Sequence, residues 1–475
     1  MPPPTRLAVH WFRRDLRILD NSALHAAAAG GAACVLPVYV ASDWKGAHLW
    51  TGSKRQAFLC RSLASLAANL ETLGGRLIVR SGAAEEELEK LIVESGADAL
   101  YFNRDPDPFG RAMEAKVEAM AHRLGITCHG FHDVTLHGPG EVLTQDGRPY
   151  RVYTPYSRNW LALEKSRPLP KPGPLHTPPG ITSLPLPQTS HWGLPETDAK
   201  LLEAGERAAH DRLKSAIGGR IQSYGLKRDS PGQAGTSRLS QDLRFGLLSP
   251  RTVLDKVLNA REAAVSTVEK SGIDTFIKEL AWREFYMAIL WHFPFVLEEE
   301  FNADWRGLPW QEPDENFEAW KQGRTGFPIV DAGIREMLAT GFMHNRVRMI
   351  VAMFLTKDLH IDWRLGEQFF MQHLIDGEIA SNNGGWQWSA GTGADAAPYF
   401  RIQNPWAQAK SHDPQGIYTK RWVPELAGVP APLLLEAPKS GRPLAPGYPL
   451  PCVDHRTERD RTLAIFKKHR GQQRP

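Results

Sequence analysis

Nine prolines lie between Arg167 and Pro195, and this cluster restricts the fold of the 475-residue chain more than any other feature. Proline fixes its own φ angle and has no backbone N–H, so such a segment forms neither a helix nor a central β-strand. We therefore predict an extended connection here. The chain is long enough for two or more domains, and the connection marks a boundary between them.

The first 135 residues alternate between β-rich and helical segments. The helical segments are rich in Ala, Leu and Glu, as in Ser53–Leu73 and Ala83–Glu94. This alternation predicts a mainly parallel sheet covered by helices. The predicted strands are Leu7–Phe12, Cys34–Val40, Arg76–Arg80, Ala99–Asn103 and Thr127–Phe131. We accordingly predict an α/β, Rossmann-like domain over residues 1–135 and a proline-rich linker over residues 136–200.

The turn after the first strand argues against a dinucleotide site in this sheet. It reads Trp11-Phe12-Arg13-Arg14-Asp15 instead of G-x-G-x-x-G. Without those glycines the backbone cannot approach a pyrophosphate closely. A large cofactor is therefore expected elsewhere in the chain.

Residues 201–475 are predicted to form a mainly α-helical domain. Apolar residues recur at helical spacing in Ile273–Phe293, Val347–Leu355 and Trp363–Leu374. The tail after Val423 is proline-rich and then basic, and we expect it to contribute little to the core.

Charge and cysteine content restrict the class of protein. A net charge of +4 permits a nucleic-acid partner without establishing one. The four cysteines are far apart and include no C-x-x-C pair, so we expect neither a disulfide framework nor a zinc site, and no bound metal. The start of the chain lacks the apolar core of a signal peptide, and no apolar run reaches the ~18 residues of a membrane span. A monomer in the reducing cytoplasm, away from membranes, is expected.

Tryptophans and one hydroxyl-rich loop are the first signs of a ligand site. Ten of the fifteen tryptophans lie in residues 282–422, some in Gly- and Asn-rich segments where stacking on a ligand or electron transfer competes with core packing. Thr236, Ser237 and Ser240 supply hydroxyls, and Arg238 supplies a fork of donors. This combination before a helix suits a phosphate or pyrophosphate. The same residues are also typical of a helix cap.

A second set of residues indicates a pocket wall. Glu279, Trp282 and Tyr286 are spaced i, i+3 and i+7, so they share one helix face. They could grip a flat polar group or form an exposed cluster. Another shared face is formed by Asn345, Arg348 and Met349.

Six blocks, in order and over about 400 residues, resemble the cryptochrome/photolyase family. The blocks are HWFRRDLRILDNSAL, YGLKRDSPGQAGTSRLS, ELAWREFY, TGFPIVDAGIREMLATGFMHNRVRM, DGEIASNNGGWQWSAGTGADAAPYFRI and DPQGIYTKRWVPEL. Each alone is suggestive, whereas six in order leave little room for chance. The resemblance implies an α/β domain followed by a helical domain that binds FAD.

By this resemblance, the FAD phosphates lie near the hydroxyl-rich loop, Arg348 pairs with Asp376, and Asn382 faces the flavin N5. The implied FAD-binding residues are Tyr224, Thr236, Ser237, Arg238, Leu239, Ser240, Arg348, Asp376, Gly377, Glu378 and Asn382. The implied electron chain from the surface to photoexcited, oxidised FAD consists of Trp310, Trp363 and Trp386.

The resemblance is to the class I branch, light-driven carbon–carbon lyases that repair cyclobutane pyrimidine dimers in DNA. Relatives for the (6-4) lesion carry histidine where Asn345 stands, and plant cryptochromes carry aspartate where Asn382 stands. Glu279 is implied to hydrogen-bond to the dimer and to stabilise its radical anion. The implied DNA and substrate contacts are Arg228, Glu279, Trp282, Tyr286, Asn345, Arg346, Met349 and Trp388. A basic rim around them is expected to include Lys410, Lys420 and Arg421.

Some positions depart from the family, and some questions stay open. Gln403 and Ser411 stand where relatives commonly have aromatic residues, and Phe276 stands where some have tryptophan. A cryptochrome-like light receptor without repair activity is the main alternative. A nucleotide-binding α/β protein without photochemistry is a more distant one.

Many relatives also bind an antenna chromophore, a folate or a deazaflavin. Trp44, Asn103 and Asp105 are candidates for its site, although helix caps and core packing explain them nearly as well. The sequence does not choose between a folate, a deazaflavin and an empty site.

Overall fold

A five-stranded parallel sheet, in the order β3-β2-β1-β4-β5, forms the N-terminal part of the molecule. The computed structural model describes residues 7–29, 34–43, 48–438 and 441–472. The strands are β1 Leu7–Phe12, β2 Cys34–Ala41, β3 Ile78–Ser81, β4 Ala99–Asn103 and β5 Thr127–Phe131. All residues of β1 are buried, as expected for a central parallel strand covered on both faces. The predicted parallel sheet is confirmed.

Helices cover both faces of the sheet and make up most of the chain beyond it. The helices are α1 Ser22–Ala29, α2 Ser53–Glu71, α3 Ala84–Ser95, α4 Pro108–Leu124, α5 Tyr153–Ala162, α6 Glu206–Ser215, α7 Tyr224–Lys227, α8 Ser240–Arg244, α9 Pro250–Ala263, α10 Thr267–His292, α11 Glu315–Gln322, α12 Pro328–Thr340, α13 Asn345–Met353, α14 Trp363–His373, α15 Ile379–Ala390, α16 Pro405–His412, α17 Ile417–Trp422 and α18 His455–Gln472. The predicted helical domain is confirmed. Within the described ranges, no helix has the length and apolar character that crossing a membrane requires.

Helix α10 is the central element of the helical domain. Ser266 and Glu269 form a capping box at its start, which satisfies two otherwise unpaired backbone donors. Halfway along, the buried carboxylate of Glu284 accepts a hydrogen bond from the Leu136 amide at 2.5 Å and one from the Trp160 indole at 2.7 Å. Helix α10 is thereby held against α5 and the segment that follows the sheet.

The proline-rich segment runs as an extended strap along the sheet. Residues 163–188, all of them described, contain no helix or strand. The Leu184 amide donates to the Val79 carbonyl at 2.9 Å, and the Leu175 amide donates to the Leu73 carbonyl at 2.7 Å. The strap thus satisfies part of the exposed edge of β3. The linker predicted over residues 136–200 is not extended throughout, because α5 lies within it and packs against α10.

The C-terminal tail contributes to the core, so the expectation that it would not is wrong. Tyr448 is buried and donates to Asp331 at 2.6 Å, and Phe466 is buried against Trp305 with a ring separation of 5.1 Å. Widely spaced single anchors of this kind leave no periodic pattern in a sequence rich in proline and charge.

The two domains meet at the carboxyl ends of β1 and β4, the crevice where open α/β sheets usually bind ligands. Here Arg14 pairs with Asp105 at 2.6 Å and with Glu378 of the helical domain at 3.2 Å. A Cβ on Gly246 would lie 1.9 Å from the Arg14 carbonyl oxygen, so the helical domain packs directly on this edge. Protein groups occupy the crevice, in agreement with the missing glycine fingerprint.

Candidate active site

A cavity of about 520 Å³ opens in the helical domain, and elements distant in sequence form its wall. This volume is within the usual range for ligand pockets. From the sequence-predicted set, the wall contains Tyr224, Arg228, Thr236, Ser237, Arg238, Leu239, Ser240, Glu279, Trp282, Tyr286, Asn345, Arg346, Arg348, Met349, Asp376, Gly377, Glu378, Asn382, Trp386 and Trp388. Trp310 and Trp363 do not reach it. The fold therefore brings the predicted cofactor and substrate residues to one cavity.

The hydroxyl-rich loop faces this cavity. Helix α8 begins at Ser240, and its N-cap residue Leu239 makes no side-chain cap. Arg238 adopts a positive φ of 60° and places its guanidinium 3.5 Å from the centre of the Phe342 ring. The helix-cap interpretation is therefore not supported, and the hydroxyls of this loop are available to a ligand.

Two arginines that sequence reasoning missed add positive charge to the wall. Burial, together with the nearby Arg14, lowers the pKa of Arg244 to about 10, and burial also lowers the pKa of Arg283. Arg244 donates to the Gly377 carbonyl at 2.8 Å. Glu378 and Asp105 lie near both arginines. Both arginines line the cavity, and guanidinium groups there suit a pyrophosphate. The i, i+4 spacing of Ser240 and Arg244 was the available signal.

The acidic residues of the wall are largely engaged in contacts with arginines. Arg348 contacts both carboxylate oxygens of Asp376, at 2.9 and 3.1 Å, so the predicted pairing is confirmed. Glu378 accepts a hydrogen bond from the Ser381 amide at 3.2 Å and pairs with Arg14. Its carboxylate thus caps α15 and joins the domains, while the residue also lines the cavity.

Helix α15 presents Asn382 and Trp386, spaced i and i+4, to the cavity. The Asn382 amide nitrogen donates to the Glu367 carbonyl at 3.0 Å, which leaves the amide oxygen as the group that can accept from a ligand. Trp386 is buried, and Gly366 permits its close approach because a Cβ there would lie 2.1 Å from the indole. Trp363 is buried behind the wall, and Trp310 is half-buried.

Aromatic rings build the part of the wall around Glu279. Trp282 stacks on Tyr153 with ring centres 3.6 Å apart and an interplanar angle of 8°, and Tyr286 lies 5.6 Å from Trp282. Tyr153 also donates to the Lys278 carbonyl at 2.8 Å. Tyr153 belongs to α5, more than a hundred residues away, so helical spacing around Trp282 could not reveal it.

Replacing Tyr153 with alanine should loosen Trp282 and weaken binding of any flat ligand that stacks on it. An aromatic pair contributes about 0.5–1.5 kcal/mol, which corresponds to a loss of roughly 2–10-fold in affinity. Tyr153→Phe keeps the ring and serves as the matched control. The measurement is the dissociation constant, in the dark, for the dimer-containing DNA that the family resemblance implies as ligand, and equal affinities for the alanine variant and the native protein would contradict the supporting role.

Two ion pairs complete the wall. Arg228 contacts Glu279, and Arg346 contacts Asp229 at 2.8 Å. Burial raises the pKa of Glu279, although Arg228 opposes the change. Asp229 directly follows Arg228 in the quoted family block. Its position in the sequence does not indicate that it pairs with Arg346.

The residues expected to form a basic rim lie on α16 and α17. Arg421 of α17 donates to the Gly232 carbonyl at 3.5 Å, so this helix adjoins the loop after Arg228. Lys410 is exposed and Lys420 half-buried on neighbouring helices. Of the three departures from the family, only Phe276 lines the cavity, 5.6 Å from the Tyr224 ring.

The antenna candidates are explained by packing where they can be described. The side chain of Asn103 is saturated, since it donates to Asp15 at 2.7 Å and to Asn21 at 2.8 Å and accepts from the Ala23 amide. Asp105 is engaged by Arg14 at the domain junction. Trp44 lies outside the described residues.

Comparison with known proteins matches both halves of the chain. The model of the family "DNA photolyase" matches residues 8–174, and that of "FAD binding domain of DNA photolyase" matches residues 276–468. A deoxyribodipyrimidine photo-lyase of Agrobacterium fabrum is 40% identical over 97% of this chain and 98% of its own length.

Two solved structures share the complete fold. A bacterial class III photolyase from Agrobacterium tumefaciens has a TM-score of 0.91 and 39% identity, covering 98% of each chain. A cryptochrome from Synechocystis has a TM-score of 0.88 and 30% identity, covering 98% of this chain and 99% of its own. One of these neighbours is a class III photolyase, so the assignment of this chain to class I stays a prediction. From the two family models and the relative 40% identical over nearly its full length, we conclude that the chain belongs to the DNA photolyase family.

Proposed function

We propose that this protein repairs cyclobutane pyrimidine dimers in DNA with blue light, using FAD held in the cavity. Its activity is that of a deoxyribodipyrimidine photo-lyase, a carbon–carbon lyase. One observation carries the proposal. Five predicted dimer-contacting residues converge on the cavity that also contains the cofactor residues, namely Glu279, Trp282, Asn345, Met349 and Trp388.

The phosphate end of FAD fits the wall formed by the hydroxyl-rich loop and Arg244, and the flavin fits beside Asn382. Reduced FAD, when bound and excited by blue light, supplies the electron that splits the cyclobutane ring and that is then returned. The protein supplies position and electrostatics. The amide oxygen of Asn382 would accept a hydrogen bond from bound flavin, because the amide nitrogen donates to the Glu367 carbonyl.

The lesion reaches the cavity by flipping out of the duplex. A dimer is poorly stacked, so extruding it costs less than the few kcal/mol needed for a normal nucleotide. Trp282, supported from behind by Tyr153, and Trp388 pack against the flipped bases. Stacking of this kind contributes roughly 1–3 kcal/mol per base. Arg228 and Arg346 bind the flanking phosphates, which makes affinity fall with salt.

Glu279 hydrogen-bonds to the pyrimidine edge and stabilises the negative charge that develops there. Because burial raises the pKa of Glu279, its neutral form persists to higher pH than that of an ordinary glutamate. Repair should therefore decline as pH rises through this raised pKa. A Glu279→Gln variant should lack that pH dependence.

The decisive experiment is blue-light repair of a thymine-dimer oligonucleotide by chemically reduced protein, with a dark control. Glu279→Ala should lower the repair yield severalfold while FAD stays bound, because the variant loses a hydrogen bond to the developing charge. Unchanged repair in this variant would contradict the role of Glu279. Flavin-loaded native protein that leaves the dimer intact would favour the light-receptor function suggested by the likeness to a cryptochrome.

We propose Trp386, Trp363 and Trp310 as the path by which an electron from the surface reduces the oxidised cofactor. Trp386 lines the cavity, Trp363 is buried behind its wall and Trp310 is half-buried, in keeping with this order. Trp363→Phe should remove most blue-light reduction of bound FAD in the presence of an external reductant. Trp406→Phe, a buried tryptophan outside the proposed path, is the control. Equal photoreduction in the two variants would contradict this path.

The partner is UV-damaged DNA, as the activity requires. We further propose that the protein acts as a monomer in the cytoplasm. Sedimentation with and without DNA would test the monomer, and fractionation would test the location. Extraction of bound chromophores would test whether the protein also binds an antenna chromophore, either a folate or a deazaflavin.

A further inference from the structure

Two arginines that we propose to bind DNA are held by carboxylates at the cavity wall. Arg228 Nη1 contacts Glu279 Oε1, and Arg346 contacts Asp229 Oδ1 through Nη2 at 2.8 Å and Nε at 3.2 Å. The side chain of Arg228 is 37% exposed and that of Glu279 is 30% exposed. The first pair is therefore open to competition from an incoming anion.

A DNA phosphate is such a competitor. Its oxygens match the guanidinium fork as well as a carboxylate does, and DNA binding concentrates many of them at the protein surface. When Arg228 turns to a phosphate, Glu279 loses its nearest counter-charge, and the phosphate adds negative charge beside it. The charged and titratable groups that face Glu279 are Arg228, Asp229, Arg346, Tyr153, Tyr224 and Tyr286.

We propose that binding of damaged DNA moves Arg228 from Glu279 to a DNA phosphate, and that Glu279 then takes up a proton from solvent. Arg228 remains a guanidinium cation throughout. The proton forms an O–H bond on the Glu279 carboxylate and neutralises it, and no other bond is made or broken. This inference rests on the proposed function, because it takes damaged DNA as the ligand.

The proton goes to Glu279 and not to Asp229 because their environments differ. Burial raises the pKa of Glu279, and Asp229 adds to this effect. For Asp229, burial is outweighed by the hydrogen bonds and charge of Arg346, which lower its pKa. Two guanidinium nitrogens hold Asp229, whereas a single contact holds Glu279.

The exchange prepares Glu279 for the lesion. The carbonyl oxygens on a pyrimidine edge only accept hydrogen bonds, and a carboxylate also only accepts. A neutral carboxyl can donate to such a carbonyl, where negative charge develops when the dimer gains an electron. Arg228 thereby acts as a positioning residue that couples DNA binding to the protonation state of Glu279.

The test is calorimetric titration of FAD-loaded protein with a thymine-dimer oligonucleotide in darkness, in buffers of different ionisation enthalpy above neutral pH. The dependence on buffer gives the number of protons exchanged. Native protein should take up about one proton per DNA, and its affinity should fall by up to about tenfold per pH unit. Glu279→Gln should lose that uptake. Arg228→Gln should show less uptake than native protein, because Glu279 is already unpaired before DNA binds.

Arg346→Gln is the matched control, since it removes a DNA-binding arginine that pairs with Asp229. It should weaken binding and retain the proton uptake. Equal uptake by native protein and Glu279→Gln would overturn the inference, because the proton would then bind elsewhere, for instance at His412 or His344. Absence of uptake in native protein that still repairs the bound dimer under blue light would also overturn it, and the proposed function would stand. Equal binding of damaged and undamaged DNA without repair would instead overturn the proposed function.

Discussion

Replacing Asp376 with alanine is expected to leave the purified protein largely without FAD. Asp376 is buried at the cavity wall and accepts two contacts from Arg348, at 2.9 and 3.1 Å. Its removal leaves Arg348 without this ion-pair partner at the cavity wall. Arg348 is a quarter exposed, so we expect a cost of about 2–3 kcal/mol, on the order of 10²-fold in FAD affinity.

The flavin-to-protein absorbance ratio after purification and equilibrium dialysis against FAD give the measurement. Glu425→Ala is the matched control, because it breaks a similar ion pair with Arg335, at 2.8 Å, outside the cavity wall. That variant should keep its full flavin content. An Asp376→Ala protein with native FAD affinity would contradict a role of the pair in holding the cofactor.

Asp133→Ala should cause the largest loss of stability among single substitutions at the domain junction. Asp133 contacts Arg17, accepts from Arg251 of α9 at 2.7 Å and accepts from Ser22 at 2.8 Å. Arg251 also pairs with Asp20 at 2.9 Å. These charged side chains are at most 6% exposed, so removing one partner should cost about 3–5 kcal/mol.

Urea unfolding of the holoprotein gives the free-energy difference. The control is Asp146→Ala, which removes one partner of the exposed ion pair between Asp146 and Arg148 and should leave stability nearly unchanged. A loss for Asp133→Ala no larger than for this control would show that the junction does not depend on the buried charges.

The same cluster predicts a pH dependence. Burial alone would raise the pKa of Asp133, but Arg17 and Arg251 outweigh it and lower the pKa to about 2. Because the pKa is lower in the folded than in the unfolded chain, the stabilisation is complete above the unfolded value of about 4 and is lost as pH falls toward 2. Acid unfolding of the native protein should therefore be steeper over this interval than that of Asp133→Asn.

Local patterns were sufficient for the secondary structure. The buried strands read as short apolar runs, and the observed strand bounds lie within two residues of the predicted ones. The apolar positions of α10 recur at helical spacing and are buried, including Ile273 and Leu280. The contribution of the tail to the core could not be predicted from periodicity. Tyr448 and Phe466 are isolated buried residues in segments whose apolar positions show no regular spacing.

The cavity was predictable to the extent that its residues lie in recognisable blocks. Hydroxyls and an arginine in those blocks indicated a phosphate, and tryptophans indicated an aromatic ligand or electron transfer. The family resemblance implied FAD and a pyrimidine dimer. Arg244 was not among the predicted site residues, although it lies one helical turn beyond Ser240. Tyr153 could not be found in this way, since it lies on α5, within the segment predicted as a linker.

The sequence by itself determined the parallel sheet, the helical domain, the extended connection and the family to which the chain belongs. These depend on periodicity, on proline geometry and on motif order, which are local or linear properties of the chain. Only the tertiary structure decided which charged side chains form ion pairs with one another. Arg228 with Glu279, Arg14 with Glu378 and Asp133 with Arg251 are pairs from distant segments. Coulomb energy depends on separation in space and on burial, and neither can be read from spacing along the chain.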